Sequence, residues 1–238
     1  VTTIRPSGRE ADEVRPVTIE LGAAAQAEGS CLISLGLTRV LCAASVQDGV
    51  PPWRESQGGW VTAEYAMLPR STSQRTPRER SGPRARTQEI QRLIGRALRA
   101  SIDLEALGPR TIIVDCDVLG ADGGTRTAAI TGGSLALWLA AAGLVRAGEL
   151  DANPVQQLVA AVSVGIVGGD GCLDLDYVED VNAEVDMNFA ALENGGIVEV
   201  QGTAEGKPFS REALDELLAL AQGGVASLFR LQRQALGE

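Results

Sequence analysis

Apolar positions along this chain change their spacing from one region to the next, and each change marks a different kind of element. In the first third, short stretches rich in β-branched residues are cut by Gly and Pro: RPVTIEL at 15–21, SCLISLG at 30–36, TRVLCAASV at 38–46 and GWVTAEYAML at 59–68. They predict strands, and the short gaps between them predict antiparallel neighbours. From 70 to 86 apolar periodicity stops, charges accumulate around Pro77 and Pro83, and a loop or arm is expected. Thr87 then stands where an N-cap would, with Glu89 as a first-turn acid. Ile90, Leu93, Ile94, Ala97 and Leu98 recur at helical spacing, and Arg92, Arg96 and Arg99 fall on the opposite face.

The second half repeats the alternation without an exact internal repeat. TIIVDCDVL at 111–119 reads as a strand, GADGGTRTAAITGG at 120–133 as a glycine-rich turn, and the apolar run after it as a helix to about Arg146. LVAAVSVGIVGG and CLDLDY, at 158–177, predict a hairpin. The acidic segment EDVNAEVDMNFAAL follows, then a further strand in NGGIVEVQGTAEG. A closing helix over about 210–235 carries Leu214, Leu217, Leu218, Ala221, Val225 and Leu228 on one face. The class is mixed α/β (α+β) in one domain over 1–238.

Composition narrows the chemistry. Of 238 residues, 45% are hydrophobic and 22% charged, as in an ordinary folded protein rather than a disordered one. The longest apolar stretch, at 135–145, is shorter than the roughly 18–20 residues of a membrane span, and no basic-then-apolar signal pattern opens the chain. The expectation is a cytoplasmic protein that crosses no membrane. Cys31, Cys42, Cys116 and Cys172 lie in apolar runs without a CxxC pair and are expected as buried, reduced thiols. Histidine is absent, which removes imidazole as base, nucleophile partner or metal ligand and takes most of the weight from serine- and zinc-hydrolase readings.

Net charge is -10, yet residues 70–99 hold nine arginines against two glutamates, a local +7. Such a stretch suits a phosphate backbone, although a solvated loop and helix face would look the same. Aromatic residues are scarce, so contact with a sugar-phosphate chain is a better expectation than base stacking.

Two further features carry candidate chemistry. In the glycine-rich turn, Gly123, Gly124, Thr125 and Arg126 could offer amides, a hydroxyl and a guanidinium to one anion at a helix start. The turn matches neither a Walker A loop nor a GxGxxG dinucleotide turn. The same glycines would serve tight strand-to-helix packing, and spacing leaves both readings open. The carboxylates Asp174, Asp176, Glu179, Asp180, Glu184 and Asp186 could bind a hard cation such as Mg²⁺ through oxygen. Taken by themselves they read more simply as the solvated face of a strand and turn. Asp186 stands out because small and apolar neighbours surround it in EVDMNFAAL.

Six blocks, in order and covering nearly the whole chain, resemble the ribonuclease PH family: GWVTAEYAMLPRST, RTQEIQRLIGRALRA, DCDVLGADGGTRTAAITG, AAVSVGIV, DLDYVEDVNAEVDMN and VEVQGTAEGKPFSREALDELLALA. The resemblance implies that family's domain, a homo-hexameric ring built as a trimer of dimers, and phosphate-dependent trimming of tRNA precursor 3′ ends with release of nucleoside diphosphates. It assigns inorganic phosphate to Arg86, Gly124, Thr125 and Arg126, and catalysis with a divalent metal, Mg²⁺, to Asp180 and Asp186. It points to Arg70, Arg75 and Arg78 as RNA contacts, which the charge pattern extends to Arg80, Arg92 and Arg96. Ala85 stands where relatives carry a glycine. The alternative is a non-catalytic, RNA-binding ring subunit of an exosome-like assembly.

Overall fold

The computed structural model describes residues 5–54 and 58–238. β-Branched and small apolar residues place five strands in one sheet: β1 (Val17–Leu21), β2 (Gly29–Leu35), β3 (Thr38–Asp48), β4 (Trp60–Met67) and β5 (Arg110–Gly120), in the order β1-β2-β3-β5-β4. Alternate side chains are buried, as the period of two requires: Cys31, Ile33 and Leu35 on β2, Ile112, Val114, Cys116 and Val118 on β5. The pairs β1-β2 and β2-β3 are antiparallel as expected, but β5 inserts between β3 and β4, antiparallel to β3 and parallel to β4. The antiparallel expectation fails at β4 because the arm and a helix intervene before β5, and parallel neighbours need such a crossover.

That crossover helix is α1 (Ala85–Arg99), which buries Ile90, Leu93, Ile94, Ala97 and Leu98 as their spacing predicts. Its start differs from expectation. Arg84 is the N-cap residue, Thr87 lies inside the helix, and Glu89 is beyond the first turn. The arm supplies the missing acceptor: Glu79 takes the Arg84 amide at 3.0 Å and the Thr87 hydroxyl at 3.0 Å. Ala85, a good helix former, opens the helix where a glycine would weaken it.

The second sheet, in the order β7-β6-β8-β9, contains β6 (Val159–Val167), β7 (Asp170–Leu173), β8 (Val185–Leu192) and β9 (Ile197–Ala204), all antiparallel. The acidic segment resolves into a short helix, α3 (Tyr177–Asn182), followed by β8. Asp176 and Glu179 cap that helix reciprocally, each side chain accepting the other's amide at 3.0 Å.

Helix α2 (Thr125–Arg146) packs against both sheets and is buried along most of its length, including Ile130, Leu135, Leu137, Ala140 and Ala141. A helix apolar on all sides belongs in such a core. By length and composition this 22-residue helix could also cross a membrane, but 72% of its apolar window lies inside the fold. Helix α4 (Arg211–Leu236) starts on Ser210, whose hydroxyl accepts the Ala213 amide at 3.2 Å, and covers the second sheet with Leu217, Ala221, Val225 and Leu228. The four cysteines are free and buried, and Cys31, Cys42 and Cys116 face one another in register across β2, β3 and β5. Burial pushes the Cys31 thiol up to about 12, which keeps it protonated and inert.

Candidate functional site

The glycine-rich turn links β5 to α2. Gly123 and Gly124 both take left-handed backbone conformations, at φ 74° and 63°, with Gly124 as the N-cap residue of α2. A side chain at Gly123 would also meet the Leu175 carbonyl at 2.6 Å and the Tyr177 amide nitrogen at 2.9 Å, so the turn lies hard against the start of α3. Among the described residues no side chain caps α2, whose first amides remain a place of positive potential. The Thr125 hydroxyl shares a hydrogen bond of 2.8 Å with the phenol of Tyr65 on β4, which fixes Thr125 from the edge strand beside β5.

Arg126, in the first turn of α2, donates to the side-chain oxygen of Gln201 on β9 at 3.1 Å and lies 3.8 Å from Glu89 on α1. Arg86, exposed at the start of α1, is close enough to act electrostatically on Tyr65, Asp180 and Asp186, and Arg126 acts on the same three. The four charged residues predicted for the site therefore share one locality, although they come from α1, α2, α3 and β8.

The two acids there are not ordinary carboxylates. Burial pushes the Asp186 carboxyl up to about 6; Asp180 and Glu205 push the same way, while Arg126 and Arg86 oppose them. Asp180 keeps an open edge to solvent, and partial desolvation raises it against the pull of Arg126 and Arg86. Two acids raised in this manner are suited to a divalent cation, which would relieve their repulsion. Among the described residues no cluster of three or more metal-binding side chains occurs.

The other members of the acidic cluster have a different use. Arg5 pairs with Glu179 at 2.7 Å, Arg9 reaches Glu179 at 3.1 Å and Asp174 at 3.5 Å, and Arg15 pairs with Asp174 at 2.7 Å. Asp174 and Glu179 are each only 1% exposed. The reading of these acids as a solvated face is corrected by this burial: a buried carboxylate persists where guanidinium groups pair with it. Glu184 accepts the Gly169 amide at 2.9 Å and takes no part in the site.

The arm brings its arginines to the mouth of this locality. Arg75, Arg78, Arg80 and Arg84 line an open cavity of about 570 Å³. Arg78 and Arg84 also line a second cleft of about 430 Å³ that reaches Tyr65 and Arg86. Arg70 is exposed and donates to the Ser73 carbonyl at 3.1 Å. Arg92 is exposed, whereas Arg96 is engaged by both oxygens of Glu199 at 2.9 and 3.1 Å. Sequence reasoning did not single out Tyr65, Gln201 or Arg15. Tyr65 and Gln201 stand inside blocks that had drawn attention, but an uncharged side chain gives no sign of its partner.

Two stacked sheets around a buried helix, with a cationic and carboxylate locality at that helix's N-terminus, define the ribonuclease PH architecture. The chain belongs to the 3′ exoribonuclease family: the family model for domain 1 matches residues 13–142 and that for domain 2 matches residues 157–224. Solved structures agree in fold. Rrp46 of rice (Oryza sativa) superposes with a TM-score of 0.77 at 19% identity, covering 98% of this chain and 100% of that one. An Archaeoglobus fulgidus exosome with RNA bound to the active site gives 0.80 at 24% identity, covering 96% and 92%. An archaeal exosome core gives 0.78 at 24% identity, covering 97% and 90%.

Proposed function

We propose that this protein is a phosphorolytic 3′→5′ exoribonuclease acting on RNA 3′ ends, tRNA precursors among them. The observation that carries the reading is the convergence of Arg86, Arg126, Asp180 and Asp186 at the N-terminus of α2. Two guanidinium groups, the Thr125 hydroxyl and the Gly124 amide offer donors to inorganic phosphate, and holding that nucleophile in line removes much of the entropic part of the barrier. A phosphate oxygen forms a new bond to the phosphorus of the terminal phosphodiester. The bond from that phosphorus to the 3′ oxygen of the preceding nucleotide breaks, that oxygen gains the proton given up by the attacking hydrogen phosphate and becomes the 3′ hydroxyl of the shortened chain, and a nucleoside diphosphate leaves. Asp180 and Asp186 would hold Mg²⁺, which when bound supplies a Lewis acid for the charge on the reacting phosphoryl group. Arg70, Arg75, Arg78 and Arg80 supply positive potential for the incoming RNA, with Arg92 on the adjoining helix face. A homo-hexameric ring, a trimer of dimers in the cytoplasm, belongs to the same reading.

The second reading, a non-catalytic RNA-binding ring subunit, is favoured by one observation: the two exosome structures named above match the chain over nearly its whole length. Incubation with a 3′-extended tRNA, Mg²⁺ and phosphate distinguishes the two. Phosphorolysis yields nucleoside diphosphates, requires phosphate and stops with chelator. RNA retention without product supports the subunit reading, and monophosphates as product exclude phosphorolysis.

A further inference from the structure

In a trans peptide the carbonyl and the following N–H point to opposite sides of the chain. At the glycine-rich turn two successive carbonyls are held. The Asp122 carbonyl accepts from Nη1 of Arg15, and the Gly123 carbonyl accepts from the Thr38 hydroxyl at 2.6 Å and from Nη2 of Arg15 at 3.5 Å. The Thr38 oxygen also accepts the Asp122 amide at 2.9 Å. The N–H groups of Gly123 and Gly124 are thereby turned away from Arg15 and Thr38. Among the described residues neither has a protein acceptor. Successive amides presented by a turn form a concavity suited to an anion.

Arg15 is itself immobilised. Its Nε and Nη2 contact the two oxygens of Asp174 at 2.9 and 2.7 Å, and its backbone amide adds a third bond at 2.8 Å. Asp174 has φ 54°, the positive value found at no other non-glycine among the described residues. A strained backbone and a buried ion pair are both costly to keep, and such costs concentrate where geometry must be held.

We propose that Arg15, fixed by Asp174, and Thr38 are positioning residues that aim the Gly123 and Gly124 amides at the phosphate nucleophile. The inference rests on the phosphorolytic reading above and adds the groups that set its phosphate cradle.

The test uses the full chain with Thr38→Val, which removes the hydroxyl at nearly constant volume, and Arg15→Lys, with Thr38→Ser as the conservative control. In the wild type, inorganic phosphate should protect the segment 120–126 from hydrogen exchange. In Thr38→Val and Arg15→Lys that protection should need roughly tenfold more phosphate, and KM for phosphate should rise about tenfold while KM for RNA stays put, the weight of about one lost hydrogen bond. Thr38→Ser should restore wild-type values. A folded Thr38→Val protein with unchanged phosphate protection and unchanged phosphate KM overturns the positioning role and leaves phosphorolysis standing. Should Arg15→Lys fail to fold, Thr38→Val decides. A wild type indifferent to phosphate in both measurements overturns the phosphorolytic reading itself.

Discussion

Arg126 and Gln201 are joined across the two halves of the chain: Nη1 of Arg126 donates to the glutamine oxygen at 3.1 Å, while the glutamine nitrogen donates to Glu89 at 3.0 Å. One uncharged side chain on β9 thus sets the distance between the arginine and its nearest acid. Without it, the 3.8 Å separation of Arg126 and Glu89 could close to a direct pair that turns the guanidinium away from substrate.

Gln201→Leu should therefore lower kcat/KM for phosphate about ten- to a hundredfold, as expected when a hydrogen bond to a charged group is lost. The loss should fall mainly on KM for phosphate. Steady-state rates with phosphate varied at saturating RNA check this.

Arg126→Ala should reduce turnover by at least about a hundredfold, the scale of removing a donor from charge developing in a transition state. Binding of tRNA, measured by filter retention or fluorescence anisotropy, should change by less than about threefold, because the arm carries most of the backbone contacts. Equal loss of turnover and binding would contradict this division of labour.

Asp186→Asn should abolish activity and stabilise the fold at neutral pH. The carboxyl is raised from 3.8 to about 6 by burial, then by Asp180 and Glu205, against Arg126 and Arg86. The folded state thus binds its proton more tightly than the unfolded state. Its favourable contribution is complete below about 3.8 and is lost as pH rises through 6. Melting curves with chelator present should show the variant above the wild type at pH 8 and no difference at pH 3.5.

Glu179 has the opposite sign. Burial pushes its carboxyl up, but bonds from Arg5 and the Asp176 amide, with the charges of Arg5 and Arg9, hold it below its usual 4.5. Its contribution is present above that value and fades as pH falls through the lowered one. Arg5→Met, which leaves Glu179 buried without its closest partner, should cost about 3–5 kcal/mol at pH 7. Urea titration should show this cost shrinking below pH 4.5 as Glu179 protonates.

Local chemistry was legible in the sequence where it repeats or clusters. The β-branched runs of β2, β3 and β5, the helical spacing of α1 and the apolar stripe of α4 announce themselves because each pattern reports a neighbour within a few residues. Arg86, Arg126, Asp180 and Asp186 were found through motif blocks, and the structure brings them together. The direction of β4 was not legible, since strand composition does not encode which way a partner runs. The division of the acidic cluster was hidden for a related reason. Asp174 and Glu179 look like Asp180 and Asp186 until Arg5, Arg9 and Arg15 arrive from the other end of the chain. Thr87 misled because Glu79, eight residues earlier in an apparent loop, supplies the acceptor at the helix start.

The ion pairs that join residues 5–15 to residues 174–179 also impose an order on biosynthesis. Arg15 leaves the ribosome 159 residues ahead of Asp174, and Arg5 precedes Glu179 by 174. At roughly 5–20 residues per second, those guanidinium groups wait on the order of ten seconds or more in water before their carboxylates exist. In the last part of that interval a nascent chain can already carry Arg86, Arg126 and a folded first sheet, yet its glycine turn has no complete clamp. Assembly of the site is thus a late event in the life of each new molecule, and a chain interrupted before Asp174 is left with the arginines of the site and with neither its carboxylates nor its geometry.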